Sequence, residues 1–156
     1  MVSDYQHELE TAGRLARDAA EVILKVYATD FSIASKGKAG PVTEADLQAS
    51  HVIVEGLRKA FPGDAVVSEE DAASHVRHEG RVWYVDPLDG TKEFVSRNDE
   101  FSVMIGLAIG GQATLGVVYR PVTGSLYTGI ANHEAWLEED GRRRRLAVSS
   151  TTDLRA

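Results

Sequence analysis

The sequence predicts an α+β fold in which two N-terminal helices pack on a mainly antiparallel sheet. Residues 4–60 contain two segments with the three- and four-residue apolar spacing of amphipathic helices. Residues 101–137 contain four segments rich in Val, Ile, Leu and Tyr, separated by turns that contain Gly, Pro or Asn. Helices followed by hairpins are typical of domains in which helices cover one face of a sheet. At 156 residues, the chain is long enough to bury a hydrophobic core.

The first predicted helix runs from Asp4 to about Tyr27, and its apolar face carries Tyr5, Leu9, Ala12, Ala16, Ala19, Ile23 and Val26. The second opens at Thr43, which forms a near capping box with Asp46 three residues later, and continues to about Ala60. Its buried face is expected to hold Leu47, Val54, Leu57 and Phe61. Between the helices we expect a short strand over residues 31–36 and a flexible loop over residues 37–41.

A further strand is predicted over residues 65–68, and it delivers Glu69 and Glu70 at its end. Adjacent residues of a strand point to opposite faces, so only one of these two carboxylates can face a given site. The next strand contains Trp83 and is expected to stop at Asp86, because the proline that follows favours an end to the strand. The remaining strands are expected to form an antiparallel meander.

Composition and charge exclude several classes of protein. The net charge of −7 argues against a nucleic-acid partner and against general binding to membrane surfaces. The run Arg142–Arg145 follows an acidic turn, which favours an acidic patch facing a basic strand across a hairpin. The chain has no cysteine, no apolar run of membrane-spanning length and no signal-peptide pattern. The expected location is the cytoplasm, with peripheral attachment to the cytoplasmic face of the inner membrane left open.

The segment Asp86-Pro87-Leu88-Asp89-Gly90-Thr91 has the composition of a metal and phosphate site. Two carboxylates and the carbonyl of the leucine between them are oxygen ligands, which hard divalent cations prefer. The glycine allows a phosphate to approach the backbone, and a helical turn opening there would present free N–H groups to it. The alternative is an Asx-type turn in which the aspartates and the glycine serve turn geometry alone.

This segment resembles the signature of the inositol monophosphatase superfamily, the lithium-sensitive, magnesium-dependent phosphomonoesterases. Two upstream segments resemble further motifs of that family, Pro41–Asp46 with its P-V-T-x-A-D and Ser68–Glu70 with its S-E-E. The residues Lys92-Glu93-Phe94 resemble the 3'(2'),5'-bisphosphate nucleotidase branch with its CysQ-like members. The resemblance covers nearly the whole chain and corresponds to the N-terminal portion of the family's layered fold.

The resemblance implies two or three Mg²⁺ ions and a set of site residues. The implied metal ligands are Glu69, Asp86, Asp89 and the carbonyl of Leu88. The residues implied in catalysis are Asp46 and Thr91, which would orient or deprotonate the attacking water, together with Glu69. The phosphate would contact Asp89, Gly90 and Thr91, and Glu70 would contact water beside the metal ligands.

The implied reaction is hydrolysis of the 3'-phosphate of adenosine 3',5'-bisphosphate, which gives AMP and phosphate. The implied partner is therefore a small-molecule nucleotide bisphosphate. Two alternatives stay open, an inositol-1-phosphate or broad sugar-phosphate phosphatase and a non-catalytic fragment that binds divalent ions.

The sequence departs from the family in one respect. Members continue through a second α/β half whose W-D-x-A-A segment supplies a further metal-binding aspartate, but here neither Trp83 nor Trp136 is followed by Asp. We therefore expect residues 1–148 to form the metal- and phosphate-binding domain and residues 149–156 to begin a C-terminal α/β domain that the chain lacks. On this interpretation the chain retains cation binding and loses most turnover, and an exposed apolar face favours a homodimer.

Overall fold

Two long helices lie side by side on one face of a seven-stranded sheet. The computed structural model describes residues 5–29, 33–35, 41–70 and 79–153, with only the backbone described for 33–35 and 41–43. The helices are α1 Gln6–Tyr27, α2 Glu44–Ala60 and α3 Thr91–Ser96. The strands are β1 Ile33–Ser35, β2 Pro41–Thr43, β3 Ala65–Ser68, β4 Arg81–Asp89, β5 Ser102–Ile109, β6 Gln112–Arg120, β7 Ser125–Ile130, β8 Ala135–Glu139 and β9 Arg142–Leu146.

The strands of the large sheet follow one another in chain order, from β3 at one edge to β9 at the other. Strands β3 and β4 pair in parallel, and every later pair is antiparallel. Strands β1 and β2 form a separate antiparallel pair. The prediction of an α+β fold with a mainly antiparallel sheet is confirmed.

Small side chains allow α1 and α2 to approach closely. Three alanines of α1 and two of α2 are fully buried: Ala12, Ala16, Ala19, Ala45 and Ala49. Leu15 of α1 lies over Gly56 of α2, where a larger residue has no room because a Cβ would come within 2.2 Å of a leucine methyl. The predicted apolar face of the first helix is thus the face that forms the core.

Strand β4, which lies next to the edge strand β3, contributes three side chains to the core. Trp83 is fully buried and stacks on Phe61, with ring centroids 5.1 Å apart. The Trp83 indole donates to Asp64 over 2.9 Å, and the Arg81 guanidinium binds both Asp64 and Glu8. This network joins α1, the turn after α2 and β4, and every charged group in it has an opposite charge or a polar donor as its partner.

Two details of the predicted helix and loop are wrong. Leu47 is 52% exposed, because the stripe of α2 that faces the core runs through Ala45, Ala49, Ile53 and Leu57 and leaves Leu47 at its margin. Pro41 belongs to β2 rather than to a loop, since the first position of a strand tolerates a residue without an N–H. Residues 37–40 of the predicted loop, and the Thr43 side chain of the capping box, lie outside the part of the structure that is described.

The acidic and basic segments near residue 140 pair as predicted. Across the β8–β9 hairpin, Glu138 lies opposite Arg143 and Glu139 lies opposite Arg142. The Arg143 guanidinium also lies 4.5 Å from the centre of the Trp136 ring. Acidic residues of β8 therefore face arginines of β9 at this edge of the sheet.

Residues 147–153 carry no helix or strand, and the domain division at residue 148 stays a prediction. Across the described ranges, no helix combines the length and the apolar character needed to span a bilayer.

Candidate metal and phosphate site

An irregularity in β4 brings two carboxylates to the same side of the sheet. Asp86 pairs with Met104 and Asp89 pairs with Ser102. Between these two pairs β4 advances by three residues and β5 by two, so β4 contains one extra residue. Without the extra residue, positions 86 and 89 would face opposite sides, because strand side chains alternate. The burial pattern changes phase here, with Leu88 buried in the core on the helix side and Asp89 exposed.

The prediction that β4 stops at Asp86 is therefore wrong, because the strand continues to Asp89. Pro87 has no N–H to contribute to a ladder, and a bulge is one of the places within a sheet that accepts proline. The Leu88 amide donates to Asp86 Oδ1 over 3.2 Å, which is the Asx-type contact of the alternative interpretation. The segment therefore forms an Asx-type turn and also places the carboxylates of Asp86 and Asp89 on the same side of the sheet.

Gly90 begins the predicted helical turn in a conformation that favours glycine. Its φ is 89°, and a Cβ would lie 2.9 Å from the carbonyl oxygen of Glu100. The Phe94 amide donates to the Gly90 carbonyl over 2.9 Å, which closes the first turn of α3. The Thr91 hydroxyl donates to the Leu88 carbonyl over 3.1 Å. A carbonyl oxygen has two lone pairs, so the Leu88 carbonyl retains capacity for a second partner.

Glu69 lies beside Asp86, as predicted for the first glutamate after β3. Ser68 pairs in parallel with Val85, and the Glu69 amide donates to the Val85 carbonyl over 3.0 Å. The Glu69 side chain makes a hydrogen bond with Asp86. Glu70 lies next in the chain and its Oε2 is buried.

The carboxyl groups of Glu69 and Asp89 lie close enough to Asp86 for their charges to act on it. Partial burial raises the pKa of Asp86, the charges of Glu69 and Asp89 raise it further, and the total brings it to about 7. The hydrogen bond from Leu88 acts in the opposite direction, and the hydrogen bond with Glu69 adds to the rise. A carboxyl with this pKa and two acidic neighbours gains from a nearby cation, so the donor set fits a hard divalent ion.

The structure brings Glu69, Asp86 and Asp89 near one another, but these side chains do not form a complete metal-coordination site. Across residues 5–29, 44–70 and 79–153, no three His, Cys, Asp or Glu side chains are close enough together to enclose one ion. Asp46 and Glu70 are not among the residues whose charges act on Asp86. Asp46 is 4% exposed and lies on α2, which contacts both β3 and β4.

The sequence interpretation missed two features next to the carboxylates. One is a contact between the hydroxyls of Ser50 and Ser68, whose oxygens lie 2.9 Å apart. The other is a groove of about 510 Å³ on the sheet face away from α1 and α2, lined by Glu69, Asp86, Tyr84, Met104, Gly106 and Gly116 among others. The first joins residues 18 positions apart on two different elements, so no spacing in the sequence signals it.

The chain belongs to the inositol monophosphatase family, whose model matches residues 4–156. The 3'(2'),5'-bisphosphate nucleotidase CysQ of Salmonella typhimurium is 49% identical over 144 residues, which are 90% of this chain and 58% of that protein. The solved structure of extragenic suppressor protein SuhB from Bartonella henselae has a TM-score of 0.83 at 28% identity, and the match covers 93% of this chain and 55% of that one. A Thermotoga maritima IMPase has a TM-score of 0.82 at 28% identity, over 95% of this chain and 56% of that one.

The family and the fold expected from the sequence motifs are confirmed by these similarities. The chain spans just over half the length of each of these proteins. The roles of the individual site residues stay predictions.

Proposed function

We propose that the chain provides the metal- and phosphate-binding part of a Mg²⁺-dependent phosphomonoesterase. The observation that carries this proposal is the cluster around Asp86, where two neighbouring carboxylates and partial burial raise the pKa of that carboxyl to about 7. Oxygen ligands in an acidic cluster suit Mg²⁺, and phosphate esters hydrolyse very slowly without charge neutralisation. The proposed ligands are Glu69, Asp86, Asp89 and the Leu88 carbonyl, for two or three ions.

When bound, Mg²⁺ supplies charge neutralisation at the phosphate and lowers the pKa of water. The chain's own residues orient the reaction. Asp46 and Thr91 would orient the attacking water, and the Asp46 carboxylate would accept its proton, with Glu69 beside them. The Thr91 hydroxyl already points at the Leu88 carbonyl, which fixes its orientation. Asp89, Gly90 and Thr91 face the phosphate, whereas the missing Cβ of Gly90 makes room for the Glu100 carbonyl. Glu70 holds water beside the ligands.

The proposed substrate is adenosine 3',5'-bisphosphate, whose 3'-phosphate is removed to give AMP, with inhibition by Li⁺. The identity of 49% to a protein named as a 3'(2'),5'-bisphosphate nucleotidase supports this choice. A second candidate substrate is an inositol or sugar phosphate, which the likeness to an IMPase structure favours. Residues 1–148 would form the metal- and phosphate-binding domain, and a second α/β unit that begins at residue 149 would complete the pocket.

The test is phosphate release from adenosine 3',5'-bisphosphate and from inositol 1-phosphate, with Mg²⁺ and with or without Li⁺. The chain is compared with Asp86→Asn and with the control Asp18→Asn, whose side chain forms an exposed ion pair on α1. Release that favours the nucleotide and disappears only in Asp86→Asn supports the nucleotidase. Equal or greater release from inositol 1-phosphate supports the second candidate. Mg²⁺ binding without turnover, even after a C-terminal half from a relative is added, supports a non-catalytic ion-binding fragment.

A further inference from the structure

The hydroxyl contact between Ser50 and Ser68 joins two elements that each carry a site residue. Ser50 lies on α2 four residues after Asp46, and Ser68 is the last residue of β3, directly before Glu69. The two oxygens are 2.9 Å apart, and Ser68 is 1% exposed. The contact is partly buried, and a hydrogen bond shielded from water is stronger than one in water.

Strand β3 needs a lateral support of this kind. It has four residues and lies at the edge of the large sheet, so within the described part of the chain its only strand neighbour is β4. Short edge strands are held weakly, because half of their backbone groups have no partner strand. The Glu69 amide makes the last parallel contact, to the Val85 carbonyl, at the point where the strand ends. Any movement of β3 away from α2 would therefore move Glu69 relative to Asp86.

We propose that Ser50 is a positioning residue, whose hydrogen bond to Ser68 holds the end of β3 against α2 and so keeps the Glu69 carboxylate beside Asp86. The bond also fixes the distance from Glu69 to the helix face that carries Asp46. Its consequence for Mg²⁺ rests on the proposed function, whereas its effect on β3 does not. Ser50 makes no contact with substrate or metal in this proposal and acts only through Ser68.

The test compares Ser50→Ala, which removes the hydroxyl, with Ser50→Thr, which retains it. Thr123→Ala is a matched control, because Thr123 and Ser125 form another hydroxyl pair at 2.7 Å, three strands away from β4. The first measurement is residue-resolved amide hydrogen exchange without metal. We expect the Glu69 amide to exchange about fivefold faster in Ser50→Ala, the effect of losing roughly one ordinary hydrogen bond. Exchange within β5 and β6 should be unchanged, and Ser50→Thr should behave like the parent chain.

The second measurement is Mg²⁺ affinity by titration calorimetry. Loss of a group that orients a metal ligand weakens metal binding about 10- to 100-fold. Ser50 acts one contact further away, so we expect Ser50→Ala to lower the Mg²⁺ affinity roughly three- to tenfold. Thr123→Ala should bind Mg²⁺ like the parent chain.

The outcomes separate the positioning role from the proposed function. Uniformly faster exchange in Ser50→Ala, unchanged exchange at Glu69, or failure of Ser50→Thr to restore it would overturn the positioning role. Equal Mg²⁺ affinity in Ser50→Ala and the parent chain would overturn its consequence for the metal. A parent chain that binds no Mg²⁺ contradicts the proposed function, and the exchange measurement still decides whether Ser50 holds β3.

Discussion

Replacing Asp86 with asparagine should make the metal-free protein more stable while removing its response to Mg²⁺. Asparagine has nearly the same shape and can still accept the hydrogen bond that the Leu88 amide donates over 3.2 Å. It carries no charge, so both the desolvation of Asp86 and its repulsion from Glu69 and Asp89 are relieved. The residue that we propose as a metal ligand is thus one that destabilises the fold when no cation is bound.

The pKa of Asp86 gives the size and the pH range of this effect. It rises from 3.8 to about 7 on folding, and one unit corresponds to about 1.4 kcal/mol, so a fully enclosed group would contribute about 4 kcal/mol. Solvent reaches this half-buried side chain and screens the charges, so we expect about 2 kcal/mol, or a rise in Tm of roughly 4–8 °C. Because the folded-state pKa is raised, the contribution of Asp86 to stability is fully present below about pH 4 and is lost as the pH rises through 7. The advantage of Asp86→Asn should therefore grow over that range.

The assay is urea denaturation in a chelator at about pH 4, 6 and 8, repeated with excess Mg²⁺ at the highest pH. Asp18→Asn is the control, since Asp18 forms an exposed ion pair with Arg14 across one turn of α1. In the chelator, Asp86→Asn should be the more stable protein at high pH. With Mg²⁺ the order should reverse, because only the parent chain gains binding energy. An Asp86→Asn protein that is less stable than the parent in chelator at high pH would refute the electrostatic argument.

Three further changes test the packing around the site. Gly90→Ala should destabilise the fold by about 2–3 kcal/mol in urea denaturation, because φ is 89° and the new methyl would meet a backbone oxygen at 2.9 Å. The control is Gly63→Ala, which has open space around it and should change the free energy of unfolding by less than about 1 kcal/mol. Asp64→Ala should cost about 3 kcal/mol, since it leaves the Trp83 indole without its acceptor and the Arg81 guanidinium with Glu8 alone. A cost no larger than that of Arg14→Ala would contradict this role. Leu47→Ala should change the thermal midpoint very little, because half of the side chain is exposed.

Local periodicity was sufficient to predict the helices and most strands. The spacing of apolar residues in α1 and the turn residues between strands act within a few positions of the chain, so they are visible in one sequence. The error at Leu47 has a related cause. The buried stripe of α2 is formed partly by Ala45 and Ala49, and small residues contribute little to an apolar pattern although they pack closely.

The features that were missed depend on pairing between distant segments. The bulge between Asp86 and Asp89 exists only relative to the register of β5. The contact between Ser50 and Ser68 joins residues 18 positions apart, and no local pattern marks it. The roles that the motif predicts for Glu69, Asp86 and Asp89 stay predictions, and the raised pKa of Asp86 depends on the burial and geometry of the folded chain.

The bulge in β4 makes the number of residues between Asp86 and Asp89 as important as their identity. A deletion of one residue there would restore regular alternation and exchange one outward carboxylate for a core side chain. An insertion would shift the phase in the same way. A substitution at the buried Leu88 would open a cavity in the core, whereas a change of length would alter the site and the core together. This segment should therefore resist variation in length as well as variation of its buried side chains.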